Sequence, residues 1–289
     1  MQITDLIPDP TALERIATGS TWAEGPCWIP ETRTLRWSDI PGDRIRQWHA
    51  ATGDVTDYAT GVEFTNGRTL DRDGSVVQCS HGLRRVERDR DGVVTTIADG
   101  WGGVRLNSPN DVVVARDGSV WFTDPAYGIT QPREGHPGER EYGDHWVFRC
   151  GPSGEDLRPV VLDLDEPNGL AFDPSEHLLY VASSSAEEPV IRVYERDGVR
   201  VKNGRVFARL DAGEGVPDGI RVDVHGNVWS SSHRGVVVFA PDGTRLGDIP
   251  VPEVVANLCF GGDDGTTLFL AATTSVYRIA TSTGDAAQR

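Results

Sequence analysis

The chain has 289 residues, with 28 Lys and Arg against 44 Asp and Glu, a formal net charge of −16 at pH 7. That acidity disfavours nucleic acid and anionic membrane as partners, since both call for a cationic face. No stretch approaches the ~18 apolar residues of a membrane span, and residues 1–20 lack the basic patch and apolar run of a secretion signal, so the sequence reads as a cytoplasmic protein.

In chain order, the first strand-like stretch is LERIATGS at 13–20, which precedes any repeat and has no partner of its own. Six similar segments follow: EGPCWIPETRTLRWSDI, NGRTLDRDGSVVQCSHG, NDVVVARDGSVWFTDP, NGLAFDPSEHLLYVASS, DGIRVDVHGNVWSSSH and NLCFGGDDGTTLFLAAT. Each begins with a polar residue (Glu24, Asn66, Asn110, Asn168, Asp218, Asn257), runs through an apolar strand and a turn rich in Asp and Gly, and reaches a second strand centred on an aromatic residue or Val. The distance from opener to the second-strand centre (Trp37, Val77, Trp121, Tyr180, Trp229, Phe269) stays within 11 to 13 residues. Openers recur every 39 to 58 residues, which brackets the ~40 to 50 residues of a four-stranded propeller blade.

The pattern predicts an all-β fold, a six-bladed β-propeller of four-stranded antiparallel blades forming one domain over residues 1–289. Blades start near 24, 66, 110, 168, 218 and 257. The last repeat is one strand short, because SVYRIA at 275–280 is its third strand. Residues 13–20 are expected to complete it and close the ring, leaving no open sheet edge. Cys27, Cys79, Cys150 and Cys259 form no C-x-x-C pair and read as buried thiols rather than metal or disulfide sites. The insertion at 128–145 is a candidate lid.

A propeller's first strand lines its channel, so the openers are expected to form a ring at one end of the axis. Glu24, Asn110, Asn168 and Asp218 bring two carboxylates and two amides there. Hard oxygen donors without Cys or His suit a divalent cation, and the flexible geometry favours Ca²⁺, with Mg²⁺, Mn²⁺, Zn²⁺ and Fe²⁺ as alternatives. Glu24 would suffer desolvation in the narrow end of a closed ring without a cation. Asn66 and Asn257 read as strand caps. The ends of the second strands, Asp39, His81, Asp124, Ser184 and His233, return to the same face.

Four stretches carry a family resemblance: AEGPCW at 23–28, LNSPNDVVVARDGSVWFTDPAYG at 106–128, PNGLAFD at 167–173 and PDGIRVDVHGNVW at 217–229. With these the chain resembles the gluconolactonase, senescence marker protein and luciferin-regenerating enzyme family over nearly its whole length. The resemblance implies that Glu24, Asn168 and Asp218 hold one divalent cation, with Asn110 beside it as a further ligand or a substrate contact. It also implies that Asp218 is the general base of a hydrolase that opens a small sugar lactone. Animal members carry an Arg at the position of Ser108, where it contacts sugar hydroxyls. The bacterial gluconolactonase-like branch reads much as this chain does, including a stretch like CSHGLRRV at 79–86. Metal chemistry therefore transfers, whereas sugar preference does not.

On this reading water attacks the lactone carbonyl, polarised by the cation, while Asp218 takes a proton and Asn110 orients the carbonyl or a ring hydroxyl. Ser108, His81 and Tyr127 are expected to contact substrate and Trp22 to wall the pocket. Asp39 and Asp124 are turn caps or outer partners, and His233 is structural. Two other functions stay open at this point: calcium-dependent organophosphate hydrolysis, and a non-enzymatic propeller that binds a protein or peptide. The chain is expected to act as a monomer or small homo-oligomer.

Overall fold

Short apolar strands broken by Asp-Gly turns fold into six antiparallel sheets of four strands each, seen in a computed structural model that describes residues 1–288. The first strands of the sheets are Ala23–Ile29, Thr65–Leu70, Val112–Val114, Pro167–Phe172, Ile220–Val222 and Val255–Gly261. They pack against one another from sheet to sheet and so surround the axis. Ala23–Ile29 and Val255–Gly261 are buried along their whole length, whereas the fourth strand of blade 2, Val93–Ala98, is exposed at its first four positions. The gradient from buried first strand to solvated fourth strand is that of a six-bladed propeller.

The sixth blade takes its fourth strand from the other end of the chain. Glu14–Thr18 pairs antiparallel with Ser275–Ala280, Glu14 opposite Arg278 and Thr18 opposite Ser275, with an Arg278–Glu14 ion pair at 2.7 Å. This is the ring closure expected of residues 13–20. The polar tail after the last strand does more than the sequence indicates. Val224 N donates to the Gly284 carbonyl at 2.9 Å, Asp285 bridges to Asp223, and Ala286 is buried against blades 4 and 5.

The core lies between blades. Trp37, Trp121, Trp229, Tyr180 and Phe269 are all essentially inaccessible, and they or their neighbours meet aromatic rings of the adjacent blade. Trp121 meets Phe172 edge-on at 5.3 Å, Trp229 meets Phe260 at 5.4 Å, and Trp28 stacks on Phe269 at 5.4 Å across the closure. The regular opener-to-centre spacing thus reflects the need for a buried apolar side chain at equal depth in every blade, an aromatic one in five of the six. All four cysteines are buried and free, as the sequence leads one to expect.

What aims four of the openers inward is a break in the first ladder of their blades. The register shifts between Glu24 and Cys27, between Thr65 and Arg68, between Pro167 and Leu170, and between Val255 and Asn257. Such a bulge rotates a side chain out of the regular alternation. In blades 3 and 5 the strand starts only after the opener. The glycine after four of the openers has its own reason: Gly67 N donates to the Asn110 carbonyl at 2.8 Å and Gly169 N to the Asp218 carbonyl at 3.0 Å. A Cβ at either glycine would collide with that neighbouring backbone. Replacing Gly169 with Ala should therefore destabilise the fold by about 2 kcal/mol and lower the urea midpoint in equilibrium unfolding. An unchanged midpoint would mean that the contact between blades 4 and 5 is slack.

Candidate functional site

At the opener end of the axis lies a cavity of about 310 Å³. Its walls include the openers Glu24, Asn66, Asn110, Asn168 and Asp218, together with Trp22, Tyr127 and Ser184. Four of the five openers are at most 5 % exposed, while Asp218 is half-open to the cavity and enclosed by protein on its other sides.

The electrostatics follow from two carboxylates in one enclosure. Glu24 accepts hydrogen bonds from Gly25 N at 2.6 Å and Asn257 Nδ2 at 3.0 Å. Burial nevertheless pushes its carboxyl up to about 7, with the charge of Asp111 adding to the effect. Asp218 is raised well above the usual carboxylate range, first by burial and then by the charges of Glu24, Asp111 and Glu134. Both groups carry a full negative charge at neutral pH only if a positive charge compensates them.

Asn66 shows that oxygen donors are also waiting. His81 Nδ1 lies 3.0 Å from the Glu134 carbonyl, which can only accept, so the proton sits on Nδ1. Nε2 is then the acceptor for Asn66 Nδ2 at 3.1 Å. The Asn66 amide is thereby oriented, and its buried Oδ1 has no partner among the described residues. Asn168 spends its Nδ2 on Ser184 Oγ at 3.0 Å, which likewise leaves its oxygen for the cavity. Two carboxylates, two amide oxygens and the Asn110 amide form a hard-oxygen set that fits a divalent cation. Among the described residues no group of three His, Cys, Asp or Glu side chains converges, so any cation here relies on amides as well as carboxylates.

Two residues expected to touch substrate stand behind the wall instead. Ser108 is buried: its Oγ donates to the Pro125 carbonyl at 2.7 Å and accepts from Gly128 N at 3.0 Å, which ties the opener segment to the start of the insertion. His81 is inaccessible and works through Asn66. Asn66, read from the sequence as a cap, faces the cavity, while Asn257 stays behind Glu24. Tyr127 and Trp22 do line the cavity, and the Tyr127 hydroxyl donates to Glu166 Oε2 at 3.2 Å. Asp39 accepts from the backbone N–H groups of Thr21 and Trp22 at 2.7 and 3.2 Å, fixing the segment that carries Trp22. Asp124 accepts from Asn107 N at 2.8 Å and Tyr142 OH at 2.7 Å, and burial pushes it up to about 7. His233 does not reach the cavity; its N–H donates to the Glu214 carbonyl at 2.8 Å.

The sequence reading missed Gln131, Arg133, Glu134 and Glu166, all of which line the cavity. The first three belong to the insertion, whose short helix Tyr127–Thr130 turns the chain back over the mouth. There Arg133 lies 5.8 Å from the Trp22 ring and 3.6 Å from Glu134. The unusual length of this insertion was the available signal, although it gives no register. Glu166 stands two residues before Asn168 and was visible only as part of EPNG.

Burial holds His81 down to about 4, below the ~6.5 of an unfolded chain. Its contribution to stability is therefore complete above pH 6.5 and is lost as pH falls toward 4, by up to about 3 kcal/mol. Comparing urea unfolding of wild type and His81→Gln from pH 7.5 to 4 should show the wild type losing more stability over that window. Parallel curves would place the imidazole in contact with solvent.

A family model described as the SMP-30/gluconolactonase/LRE-like region matches residues 22–274. Gluconolactonase of Zymomonas mobilis is 35 % identical, over 94 % of this chain and 82 % of its own length. Pentonolactonase XacC of Haloferax volcanii is 29 % identical, over 90 % of this chain and 84 % of its own. Among solved structures, a gluconolactonase from Xanthomonas campestris superposes with a TM-score of 0.90 at 39 % identity, covering 96 % of this chain and 92 % of that one.

Proposed function

We propose that this chain, which belongs to the SMP-30/gluconolactonase/LRE-like family, is an enzyme that opens a small sugar lactone at the cavity ringed by Glu24, Asn66, Asn110, Asn168 and Asp218. The observation that carries the reading is the pair of enclosed carboxylates, Glu24 and Asp218, facing one cavity of small-molecule size beside unpartnered amide oxygens. The lactonase names of its relatives give the substrate class.

Glu24, Asn168 and Asp218 would hold one divalent cation, Ca²⁺ fitting the donor set best, and Asn66 or Asn110 would offer a further oxygen. When bound, that cation supplies Lewis acidity at the lactone carbonyl and charge compensation for the two carboxylates. The residues of the chain do the rest. Asp218, half-open to the cavity, takes the proton of the attacking water as the new C–O bond forms at the carbonyl carbon. When the ring C–O bond breaks, the proton passes to the departing ring oxygen, which leaves as a hydroxyl, and the product is an open-chain sugar acid. The Asn110 side chain sits on the cavity wall, which suits it to orient the carbonyl or a neighbouring hydroxyl. Glu24 stays a ligand, because Gly25 N–H and Asn257 hold its Oε2 in place.

Arg133, Glu134 and Gln131 supply the polar donors and acceptors that a sugar's hydroxyls need, and Trp22 offers an apolar face. They stand in for the arginine that Ser108 replaces, approaching from the insertion rather than from the opener segment. The same cavity gives no feature that favours a phosphotriester over a lactone.

Two outcomes test this reading. Asp218→Asn should lower kcat for gluconolactone or a pentonolactone by about 10²- to 10⁴-fold, and chelation followed by reloading with Ca²⁺ or Mn²⁺ should abolish and restore wild-type turnover. Full activity of either the variant or the chelated protein would contradict it. Arg133→Ala should raise KM severalfold with a smaller effect on kcat, since uniform binding is what a hydroxyl contact supplies; a loss confined to kcat would assign Arg133 a part in the chemistry.

A further inference from the structure

The opposite end of the axis holds a larger cavity, of about 650 Å³, bordered by the turns that join first to second strands and by the C-terminal tail. In a chain of net charge −16 its walls gather three arginines, Arg68, Arg72 and Arg221, beside the acids Glu31, Asp71 and Asp285. None of the three is fully satisfied. Arg68 is 1 % exposed and donates only to the Gly25 carbonyl at 3.3 Å and Ser38 Oγ at 2.6 Å, both neutral, while its Nε has no partner among the described residues. Arg221, also buried, uses Nη1 for the Ile220 carbonyl at 2.7 Å and lies 3.5 Å from Asp111 Oδ2; its Nε and Nη2 bond to no described residue. Arg72 is exposed and pairs with no carboxylate among the described residues.

The acids of the same wall are not hydrogen-bonded to these arginine side chains among the described residues. Asp71 is committed to Arg88 at 2.5 Å, and Glu31 is exposed to solvent. Asp285, carried in by the tail, accepts from Ala287 N at 2.8 Å and is raised by burial; its charge and that of Asp111 both favour the Arg221 cation, but it makes no hydrogen bond or ion pair with Arg221 among the described residues. A buried guanidinium whose only partners are neutral, as for Arg68, is costly, and an Nε and Nη2 edge such as the one Arg221 leaves unbonded grips planar or tetrahedral oxyanions two-pronged. The volume is that of a small-molecule site.

We propose that this cavity is a second binding site, for a small molecule bearing an oxyanion, a phosphate or a sugar-acid carboxylate, held by Arg221 and Arg72 with Arg68 supplying charge from beneath. Its position couples it to the opener ring through the backbone. Arg68 is bonded to the carbonyl of Gly25, next to Glu24, and Arg221 pairs with Asp111, next to Asn110. The site is independent of the lactonase reading, since it uses none of the residues assigned to that reaction.

Isothermal titration of the full chain with inorganic phosphate, and separately with gluconate, tests it and tells the two sources apart. The expected result is one saturable site per chain for at least one probe, weakened by added salt. Arg72→Gln should weaken it about tenfold, and Asp285→Asn should tighten it by removing a competing carboxylate. Asp218→Asn should leave it unchanged, and Arg72→Gln should keep wild-type lactone turnover. Because Arg221→Gln alone would strand Asp111, the double variant Arg221→Gln with Asp111→Asn is the second probe, and it should abolish binding in protein that still unfolds cooperatively. Absence of saturable binding of both probes up to about 10 mM, or binding that survives the arginine variants and disappears in Asp218→Asn, would overturn the proposal.

Discussion

Glu24 and Asp218 are two carboxylates confined to one end of a closed ring, and the rest of the structure is arranged around that conflict. Enclosure and mutual repulsion drive both toward protonation. A fold under selection for stability alone would place apolar groups there, as it does at the second-strand positions of Trp37, Trp121 and Trp229. Gly25 N–H and the Asn257 amide hold Glu24 in position, and on the proposed reading a cation joins the two carboxylates in the cavity. On that reading their cost to the unliganded fold becomes a contribution to cation binding.

The ring itself is a product of blade packing. Four of the openers sit where the first ladder breaks and the other two just before their strand begins, so each lies outside the regular alternation of the ladder. Gly67, Gly169 and Gly219, each following an opener, bring adjacent first strands close enough for a hydrogen bond from blade to blade. The large second-strand aromatics set the spacing of the blades behind them. Geometry at the cavity is thus inherited from the closed circle, and the strand Glu14–Thr18 that completes blade 6 contributes to the site without touching it.

Much of this was legible in the sequence because it repeats. The blade number, the closing strand and the inward-facing Glu24, Asn110, Asn168 and Asp218 all follow from a period that the chain states six times. What escaped does not repeat. Arg133 and Glu134 lie in an insertion with no counterpart in other blades, and their arrival at the cavity depends on the turn of a single short helix. Ser108 and His81 were read as substrate contacts because they belong to the right segments. Their side chains instead satisfy the Pro125 carbonyl, Gly128 N–H and Asn66, which only the packed neighbours reveal. Asn66 was misjudged for the same reason: a cap and a cavity donor look alike until the hydrogen bond to His81 shows which amide atom remains free. The arginine-lined cavity at the far end was invisible because Arg221 is distant in sequence from Arg68 and Arg72 and the tail that borders it has no pattern.

The central claim is that Glu24, Asn168 and Asp218 share one cation. Diffraction from crystals soaked in Mn²⁺, with data collected above its absorption edge, addresses it most directly. The account predicts one strong anomalous peak per chain, within coordination distance of all three side chains and absent from crystals of Glu24→Gln. A peak elsewhere, or none in the cavity at saturating Mn²⁺, would contradict it.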